Sequence, residues 1–191
     1  MSTDDESPGP TEWDGDRYQE RFDRLAASGN DVHGEADFVE RLRPRSVLDA
    51  GCGTGRVARA LASRGIETVG IDRDPSMIAT ARRLAPELEW QVGDVADSHL
   101  GRQFDVVVMA GNVPLFTPAG TQQALVAGCA RYVRSGGTLV AGFQLGRGYA
   151  LDSYDEHCRQ VGLTLFARFS TWSNEEFDQS SDYAVSVHST L

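Results

Sequence analysis

The chain has 191 residues, of which 40% are hydrophobic, and its formal net charge is −10. This size and composition predict one globular domain with a substantial apolar core. The negative charge disfavours nucleic acid and anionic membranes as partners, because both are polyanions. No apolar run approaches the roughly 18 residues of a transmembrane helix, and the acidic N-terminus does not resemble a signal peptide.

The three cysteines, Cys52, Cys129 and Cys158, are widely spaced and form no C-x-x-C pair. This spacing disfavours a disulfide framework and a zinc site. Together with an N-terminus that does not resemble a signal peptide, this spacing of the cysteines predicts a protein of the reducing cytoplasm.

The negative charge is concentrated at the two ends of the chain. Residues 1–16 contain six acidic residues and residues 172–191 contain four, and neither segment has a basic residue. Between them, residues 17–171 carry 18 acidic residues and 18 arginines, and the chain has no lysine. The charge therefore does not identify a ligand, and the case against nucleic acid rests on the small size and the missing basic patch.

The N-terminal part predicts a tail followed by two helices. Residues 1–12 combine acidic residues with Ser, Pro, Gly and Thr, which is typical of a disordered tail. A helix is predicted over 13–28, because Asp14 or Asp16 can cap it and its apolar residues recur at helical spacing. A loop follows, and a short helix over 35–43 ends before Pro44.

From residue 46 onward, predicted strands alternate with predicted helices. Such alternation indicates βαβ units with parallel strands and right-handed crossovers. Only the last two strands are joined by a loop short enough for a hairpin. The predicted strands are 46–50, 67–72, 88–94, 104–110, 137–143, 163–172 and 182–190, and the predicted helices between them cover 56–65, 74–86, part of 117–137, and 151–162.

A glycine-rich loop follows the first predicted strand, with glycines at positions 51, 53 and 55. Glycines here allow a tight turn and a close approach of ligand to backbone. The spacing G-x-G-x-G differs from the dinucleotide fingerprint G-x-G-x-x-G, and the P-loop lysine is absent. Asp49, just before the loop, favours a ligand with a cationic or zwitterionic end. The alternative for the glycines is that they only allow the chain to turn from strand to helix.

Two further carboxylates end the next two predicted strands. Asp72 is placed to accept hydrogen bonds from both hydroxyls of a ribose. Asp94 is placed to accept from an exocyclic amine, such as that of adenine. Open α/β sheets bind ligands at the carboxyl ends of their strands, and the loop and both acids fall there in succession.

The segments VLDAGCGTG, VGID, GDVAD and FDVVVMA, in this order, resemble the successive motifs of class I S-adenosylmethionine-dependent methyltransferases. The resemblance covers roughly residues 35–190. It implies an α/β fold, a Rossmann-like three-layer sandwich around a seven-stranded, mostly parallel sheet. The implied strand order is 3-2-1-4-5-7-6 with strand 7 antiparallel, and residues 13–191 form a single domain.

The resemblance also implies S-adenosylmethionine as the cofactor, with S-adenosylhomocysteine as its product, and a role for each matching residue. Asp49 would face the methionine amino group, and Asp72 the ribose hydroxyls. Asp94 and the amide of Val95 would bind the adenine. The remaining implied cofactor residues are Ala50, Gly51, Cys52, Gly53 and Gly55 in the glycine loop, Arg73 and Met77 beside the adenine, and Ala110 and Gly111 near the methyl group. In Cys52 we expect a small packing residue rather than a nucleophile.

Two segments are candidates for the acceptor site. The N-terminal helix and loop, residues 13–34, would form a lid, with Tyr18 and Phe22 contacting substrate and His33 as a general base. Helix-core packing is the alternative for the two aromatics, and a surface or structural role for His33. The other segment follows the fourth strand and contributes Asn112 and Phe116.

The loop after the fourth predicted strand, residues 111–120, limits the kinds of methyl acceptor that we expect. It matches poorly the Asn-Pro-Pro-aromatic motif of amino-group methylases, which disfavours a nucleobase or glutamine acceptor. No set of acidic ligands after strands four and five predicts a metal site. We therefore expect methyl transfer to a small molecule by direct in-line displacement, with no nucleic-acid or membrane partner. The alternatives are another group transfer from the same cofactor, such as aminopropyl transfer, and a catalytically idle cofactor- or partner-binding protein.

Overall fold

A computed structural model describes residues 14–29 and 32–190, so the predicted tail over 1–12 lies outside the described residues. The described helices are α1 Gly15–Ala27, α2 Gly34–Arg41, α3 Arg56–Ser63, α4 Pro75–Leu84, α5 Val113–Phe116, α6 Gln122–Arg131 and α7 Leu151–Gln160. The described strands are β1 Ser46–Ala50, β2 Glu67–Asp72, β3 Glu89–Val92, β4 Phe104–Met109, β5 Val133–Gln144, β6 Leu163–Phe169 and β7 Tyr183–Thr190.

The strands form one seven-stranded sheet in the order β3-β2-β1-β4-β5-β7-β6, which confirms the predicted topology. β1 lies between β2 and β4 and is parallel to both, with Asp49 in register with Gly70 on one side and Val108 on the other. β7 runs antiparallel to both β5 and β6. The reversal of strand order beside β1 places the carboxyl ends of β1, β2 and β4 around one crevice, where open α/β sheets bind ligands.

Strand β4 shows why the sheet is buried on both faces. Its side chains alternate between the two faces, as in any strand. Val106 and Val108 pack in a cluster with residues of α2 and α3. Val107 and Met109 pack in another cluster with residues of α6 and α7. Helices therefore cover both faces, which confirms the three-layer sandwich.

The structure differs from the predicted elements most clearly in three places, and the first is β6, which ends at Phe169 instead of residue 172. β5 begins at Val133, four residues before the predicted start, because Val133 pairs with Phe104 beyond an irregularity in the ladder. Residues 134–136 are all exposed, so their sequence lacks the alternation of apolar and polar residues that predicts a strand. α5 is a single turn after Asn112, whose φ is +69°, and it is too short to produce a helical period.

The carboxylate of Asp105 joins the amino-terminal ends of three strands. Its Oδ2 accepts hydrogen bonds from the backbone N–H groups of Arg45, at 2.6 Å, and Ser46, at 3.0 Å, and its Oδ1 accepts one from Nε of Arg134. Burial alone would raise the pKa of Asp105, but these hydrogen bonds outweigh burial and lower it. The ionised carboxylate therefore stabilises the edge of the sheet opposite the crevice.

We expect Asp105→Asn to lower the free energy of unfolding by about 1–2 kcal/mol at pH 7, because an amide cannot serve the three donors as a carboxylate does. Since the folded state lowers the pKa of Asp105 below 3.8, its contribution is present at neutral pH and disappears as the pH falls through the folded value. Urea denaturation at pH 7 and pH 3 measures this, and the difference from the wild type should be smaller at pH 3.

Glu156→Gln is the matched control, because the exposed pair of Glu156 with Arg159 lies within one helix and should contribute little. Equal losses of stability in the two variants, or a difference for Asp105→Asn that grows at pH 3, would contradict this interpretation.

Candidate functional site

The glycine loop is held by the end of the neighbouring strand. The N–H groups of Gly51 and Cys52 both donate to the carbonyl of Ile71, at 2.8 and 3.0 Å. Gly51, Gly53 and Gly55 have φ values of +76°, +56° and +79°, in the region that favours glycine. The loop can therefore fold back over the carboxyl end of β2 before α3 begins.

Asp72 fastens the same loop from the end of β2. Its Oδ2 accepts a hydrogen bond from the N–H of Gly53 at 2.8 Å, and its Oδ1 accepts one from the N–H of Asp74 at 2.9 Å. Burial raises the pKa of Asp72, and these two hydrogen bonds oppose that shift. A carboxylate oxygen has two lone pairs, so each oxygen can accept one more hydrogen bond from a ligand hydroxyl.

A cleft partly open to solvent lies along these strand ends, and the space between its walls, open solvent included, is about 890 Å³. Residues predicted for the cofactor or acceptor that line it are Tyr18, Gly51, Gly53, Asp72, Arg73, Met77, Asp94, Val95, Ala110, Gly111 and Phe116. The sequence interpretation missed the lining residues Ile71, Asp74, Gly93, Val113, Thr117 and Leu125. Apart from Asp74, whose carboxylate caps α4, none of them has an ionisable side chain.

A smaller pocket of about 330 Å³ continues the cleft beneath the glycine loop and contains Asp49. The side chain of Asp49 is 2% exposed, and its Oδ2 accepts a hydrogen bond from the N–H of Ala58 at 3.1 Å. Burial raises the pKa of Asp49 to about 7, although Ala58 and the charge of Arg56 oppose the shift. A buried carboxylate with this pKa is suited to a cationic ligand group, which would restore its ionised form.

Cys52 also lines this smaller pocket, but it is almost fully buried. Burial and the nearby carboxylates Asp49 and Asp72 raise the pKa of its thiol well above the ordinary value. The thiolate is therefore disfavoured, which agrees with the packing role expected for Cys52.

Helix α1 lies along the cleft and is fastened to α4. Asp14 caps α1 through its own side chain. The N–H of Gly15 donates to Oγ of Ser76 at 2.7 Å, and Asp16 accepts a hydrogen bond from the Thr80 hydroxyl, also at 2.7 Å. From this position Tyr18 reaches the cleft, and a Cβ at Gly53 would lie 3.6 Å from its ring.

Five predicted site residues do not line the cleft or the smaller pocket among the described residues. Ala50 is fully buried in β1, and His33 is an exposed residue at the start of α2. The ring of Phe22 packs against the guanidinium of Arg56, with Cζ 4.8 Å from its centroid. The other two are Gly55 and Asn112.

Gly55 and Asn112 are explained by packing and strand connection. A Cβ at Gly55 would lie 2.2 Å from the ring of Trp90, so this glycine makes room for the indole. The side-chain oxygen of Asn112 accepts a hydrogen bond from the N–H of Gln144 at 2.8 Å, and its backbone N–H donates to the carbonyl of Gly142. Asn112 thus joins the carboxyl ends of β4 and β5, and its side-chain carbonyl already accepts a hydrogen bond.

The described residues contain no group of three His, Cys, Asp or Glu side chains that could hold a metal ion. Within the same part of the chain, no helix has the length and apolarity that crossing a bilayer requires.

The comparisons with known proteins agree with this geometry. Residues 47–137 match a family model described as a methyltransferase domain. The fold is similar to that of a TehB-like SAM-dependent methyltransferase from Corynebacterium glutamicum, with 36% identity and a TM-score of 0.87, over 93% of this chain and 98% of that chain. The CcbJ methyltransferase from Streptomyces caelestis shares the fold, with 24% identity, 83% and 94% coverage and a TM-score of 0.75.

Curated relatives match over part of their length. A dTDP-3-amino-3,4,6-trideoxy-alpha-D-glucopyranose N,N-dimethyltransferase from Streptomyces venezuelae is 32% identical over 64% of this chain and 52% of its own length. A ubiquinone biosynthesis O-methyltransferase from Alkalilimnicola ehrlichii is 34% identical over 63% of this chain and 56% of its own. The chain thus spans about half the length of these two relatives.

The TehB-like relative aligns over nearly the full length of both chains, and the sheet order is the one that the sequence motifs imply. This chain therefore belongs to the class I S-adenosylmethionine-dependent methyltransferase family.

Proposed function

We propose that the protein transfers a methyl group from S-adenosylmethionine to a small-molecule acceptor by direct in-line displacement. The observation that carries the proposal is the continuous cleft with Asp72 at its centre, Asp94 at one end and Asp49 in the smaller pocket at the other. These three carboxylates occur in the order in which a nucleoside joined to an amino acid presents its hydrogen-bond donors. Asp49 lies in β1, Asp72 ends β2 and Asp94 follows β3, and these strands are neighbours, so the sheet itself fixes the separation of the three carboxylates.

The lining of the cleft fits each part of the cofactor. Ile71, Met77 and Val95 supply apolar walls for an adenine ring, and Asp94 can accept from its amino group. Asp72 can accept from the ribose hydroxyls with the lone pairs that Gly53 and Asp74 leave available. Gly51 makes room for the side chain of Val113, since a Cβ there would lie 2.6 Å from it.

When bound, the cofactor supplies a methyl group on a sulfonium, which is already activated for displacement. The chain therefore has to position the acceptor and exclude water rather than supply strong acid–base chemistry. Tyr18 and helix α1 cover the cleft from one side, and Val113, Phe116 and Thr117 line it from the other. A general base is needed only for an acceptor that is protonated at working pH, and that role for His33 stays a prediction.

Two observations support a small acceptor. Among the described residues, no insertion between the helices and strands is longer than a loop. The names of the curated relatives describe methylation of an amino sugar nucleotide in one case and an O-methylation in ubiquinone biosynthesis in the other. We infer a small metabolite as the acceptor and leave the accepting atom open.

A screen for methyl transfer tests the proposal. S-adenosylmethionine with a labelled methyl group is incubated with the protein and with sets of amines, phenols, carboxylic acids and thiols. We expect label to enter one acceptor class, with one S-adenosylhomocysteine formed per methyl group transferred. Tight cofactor binding without transfer to any class would favour the idle alternative. Formation of labelled methylthioadenosine in place of S-adenosylhomocysteine would favour the other group transfer.

We expect Asp72→Ala to weaken S-adenosylhomocysteine binding by about 1–3 kcal/mol, because hydrogen bonds to a charged group are lost. Isothermal titration calorimetry measures this change. Glu67→Ala is the control, since Glu67 begins the same strand at the opposite end and pairs with Arg102 on the surface. Unchanged affinity for Asp72→Ala would refute the ribose assignment.

Cofactor binding should depend on pH through Asp49. Because the pKa of Asp49 is about 7 in the ligand-free protein, this carboxyl is largely protonated at pH 6 and ionised at pH 8. A cationic amino group next to it favours the ionised form, so binding at pH 6 should release about one proton and be weaker than at pH 8. Calorimetry in two buffers with different ionisation enthalpies measures the release, and Asp49→Asn should abolish it.

The same substitution should stabilise the ligand-free fold. A carboxyl whose folded pKa is raised destabilises the fold increasingly as the pH rises from the unfolded pKa to about 7. At pH 8 we expect Asp49→Asn to raise the free energy of unfolding by about 2 kcal/mol, which allows for the cost of burying the new amide. The gain should shrink at pH 5, and a loss of stability at pH 8 would contradict the burial of an unpaired charge.

A further inference from the structure

The two edge strands of the sheet differ in the side chains that they expose. At one edge, β3 has four residues, and its exposed side chains are the polar Glu89 and Gln91. At the other edge, β6 has seven residues, and its exposed side chains are the consecutive Thr164, Leu165 and Phe166. Polar and charged side chains on an edge discourage pairing with another strand, whereas an apolar edge favours it. β6 is therefore the edge that is suited to a partner.

The two apolar residues in the middle of β6 are unusually exposed. Leu165 is 41% exposed, and Phe166 is 77% exposed, the highest value among the large apolar side chains of the described residues. The ladder between β6 and β7 is irregular from Leu165 to Ala167, so Phe166 opposes no residue of β7. A phenylalanine this exposed contributes little to packing within one copy, and its burial against a partner is favourable.

Charge does not protect this edge among the described residues. The one charged side chain of β6 is Arg168, which pairs with Asp155 of α7 at 2.5 Å and is only 14% exposed. After β6, the chain folds back so that Phe169 forms a bridge with Glu176. Residues 163–168 therefore lack a strand neighbour on their outer side within the described structure, and they form an edge of about 20 Å.

The charges at the two ends of β6 decide the direction in which a second copy can lie. After β6, the loop over 173–178 has three acidic residues and no basic one. Before β6, the last turn of α7 carries Arg159, which pairs with Glu156 but is still 71% exposed. A parallel arrangement of two β6 strands would bring the two acidic loops together, and like charges repel each other. An antiparallel arrangement separates the loops and brings each one to the partner's end of β6 that follows Arg159.

We propose that the protein forms a two-fold symmetric dimer through β6. The two strands are antiparallel, and Leu165 and Phe166 of each copy pack against those of the other. A two-fold contact must be complementary to itself. These two residues lie at the middle of the edge over 163–168, so one axis there brings all four side chains together.

The dimer joins the two sheets without combining the two clefts. β6 is parallel to β5, because both are antiparallel to β7, so its carboxyl end lies at the same edge of the sheet as the cleft. In an antiparallel pair of β6 strands, the two clefts therefore lie at opposite edges of the joined sheet. Each cleft is lined by one copy alone, and the dimer does not depend on the proposed function.

Analytical ultracentrifugation of the full chain tests the proposal, over protein concentrations from about 1 to 200 μM. The apolar patch is small, so we expect an equilibrium in which the average mass rises with concentration toward that of two chains. Phe166→Lys should raise the dissociation constant of the dimer by about tenfold or more, because it places two like charges in the contact. Leu84→Lys is the matched control, since Leu84 is 39% exposed but ends α4.

Disulfide cross-linking tests the direction of the two strands. The three cysteines of the chain are buried, so a cysteine introduced on β6 is the one that mild oxidation reaches. Phe166→Cys should give a cross-linked dimer, and Leu84→Cys should not. Thr164→Cys should give much less product than Phe166→Cys. The antiparallel arrangement separates the two copies of residue 164, whereas a parallel one would align them.

The outcomes distinguish this dimer from other arrangements. A wild-type chain that stays monomeric over the whole range would overturn the dimer in favour of a different partner for β6. A dimer that Phe166→Lys leaves intact, or that Leu84→Lys weakens equally, would also overturn it. Thr164→Cys that cross-links as well as Phe166→Cys would overturn the antiparallel arrangement.

Binding of S-adenosylhomocysteine, measured by calorimetry, keeps the two proposals apart. Phe166→Lys should bind it as the wild type does, because Phe166 does not line the cleft. Failure of the wild type to bind it would overturn the proposed function and leave the dimer standing. If Phe166→Lys does not fold, Leu165→Lys replaces it in the ultracentrifuge, with the same expected weakening and the same outcome that would overturn the dimer.

Discussion

The attachment of the glycine loop to the end of β2 is the interaction on which the site depends. One carbonyl, that of Ile71, accepts from two successive backbone N–H groups, and Asp72 accepts from a third at Gly53. Three positive φ values allow the chain to make this approach and then enter α3 directly. Because the loop is fixed, Asp49 lies beneath it and Arg56 beside it, and the cleft has a defined inner end.

The buried charges show how binding and stability oppose each other here. Asp49 is nearly inaccessible to solvent and has one backbone donor, Ala58, so its ionised form is costly without a cationic ligand. Asp105, at the opposite edge of the sheet, has three donors and a lowered pKa. Both carboxylates lie on central strands, but the first destabilises the ligand-free fold at neutral pH and the second stabilises it. Such a difference is typical of a functional site within a structural frame.

The parts of the structure that the sequence predicts are those with a repeated or chemically distinctive pattern. The buried strand over 104–110, the glycine loop and Asp72 each follow from apolar runs, turn chemistry and strand-end position. The single turn α5 and the early start of β5 have no such period, so they were missed. Sequence spacing also does not distinguish a glycine that contacts a ligand from one that leaves room for a neighbouring side chain, as Gly55 does for the ring of Trp90. Contacts between distant segments, such as that of Arg56 with Glu35, depend on the three-dimensional packing.

Three arginines of residues 17–171 form ion pairs with acidic residues of α1 and α2. Arg56 and Arg64 of α3 pair with acidic residues of α2, and Arg83 of α4 pairs with Asp16 of α1. The N-terminal segment is therefore fastened to the two helices that flank the glycine loop and the adenine end of the cleft. Exposed pairs of this kind contribute little each, but the Arg56 pair is largely buried and adjoins the pocket. These three ion pairs thus fasten α1 and α2 beside the cleft, and one of them uses Asp16 from the acidic N-terminal end of the chain.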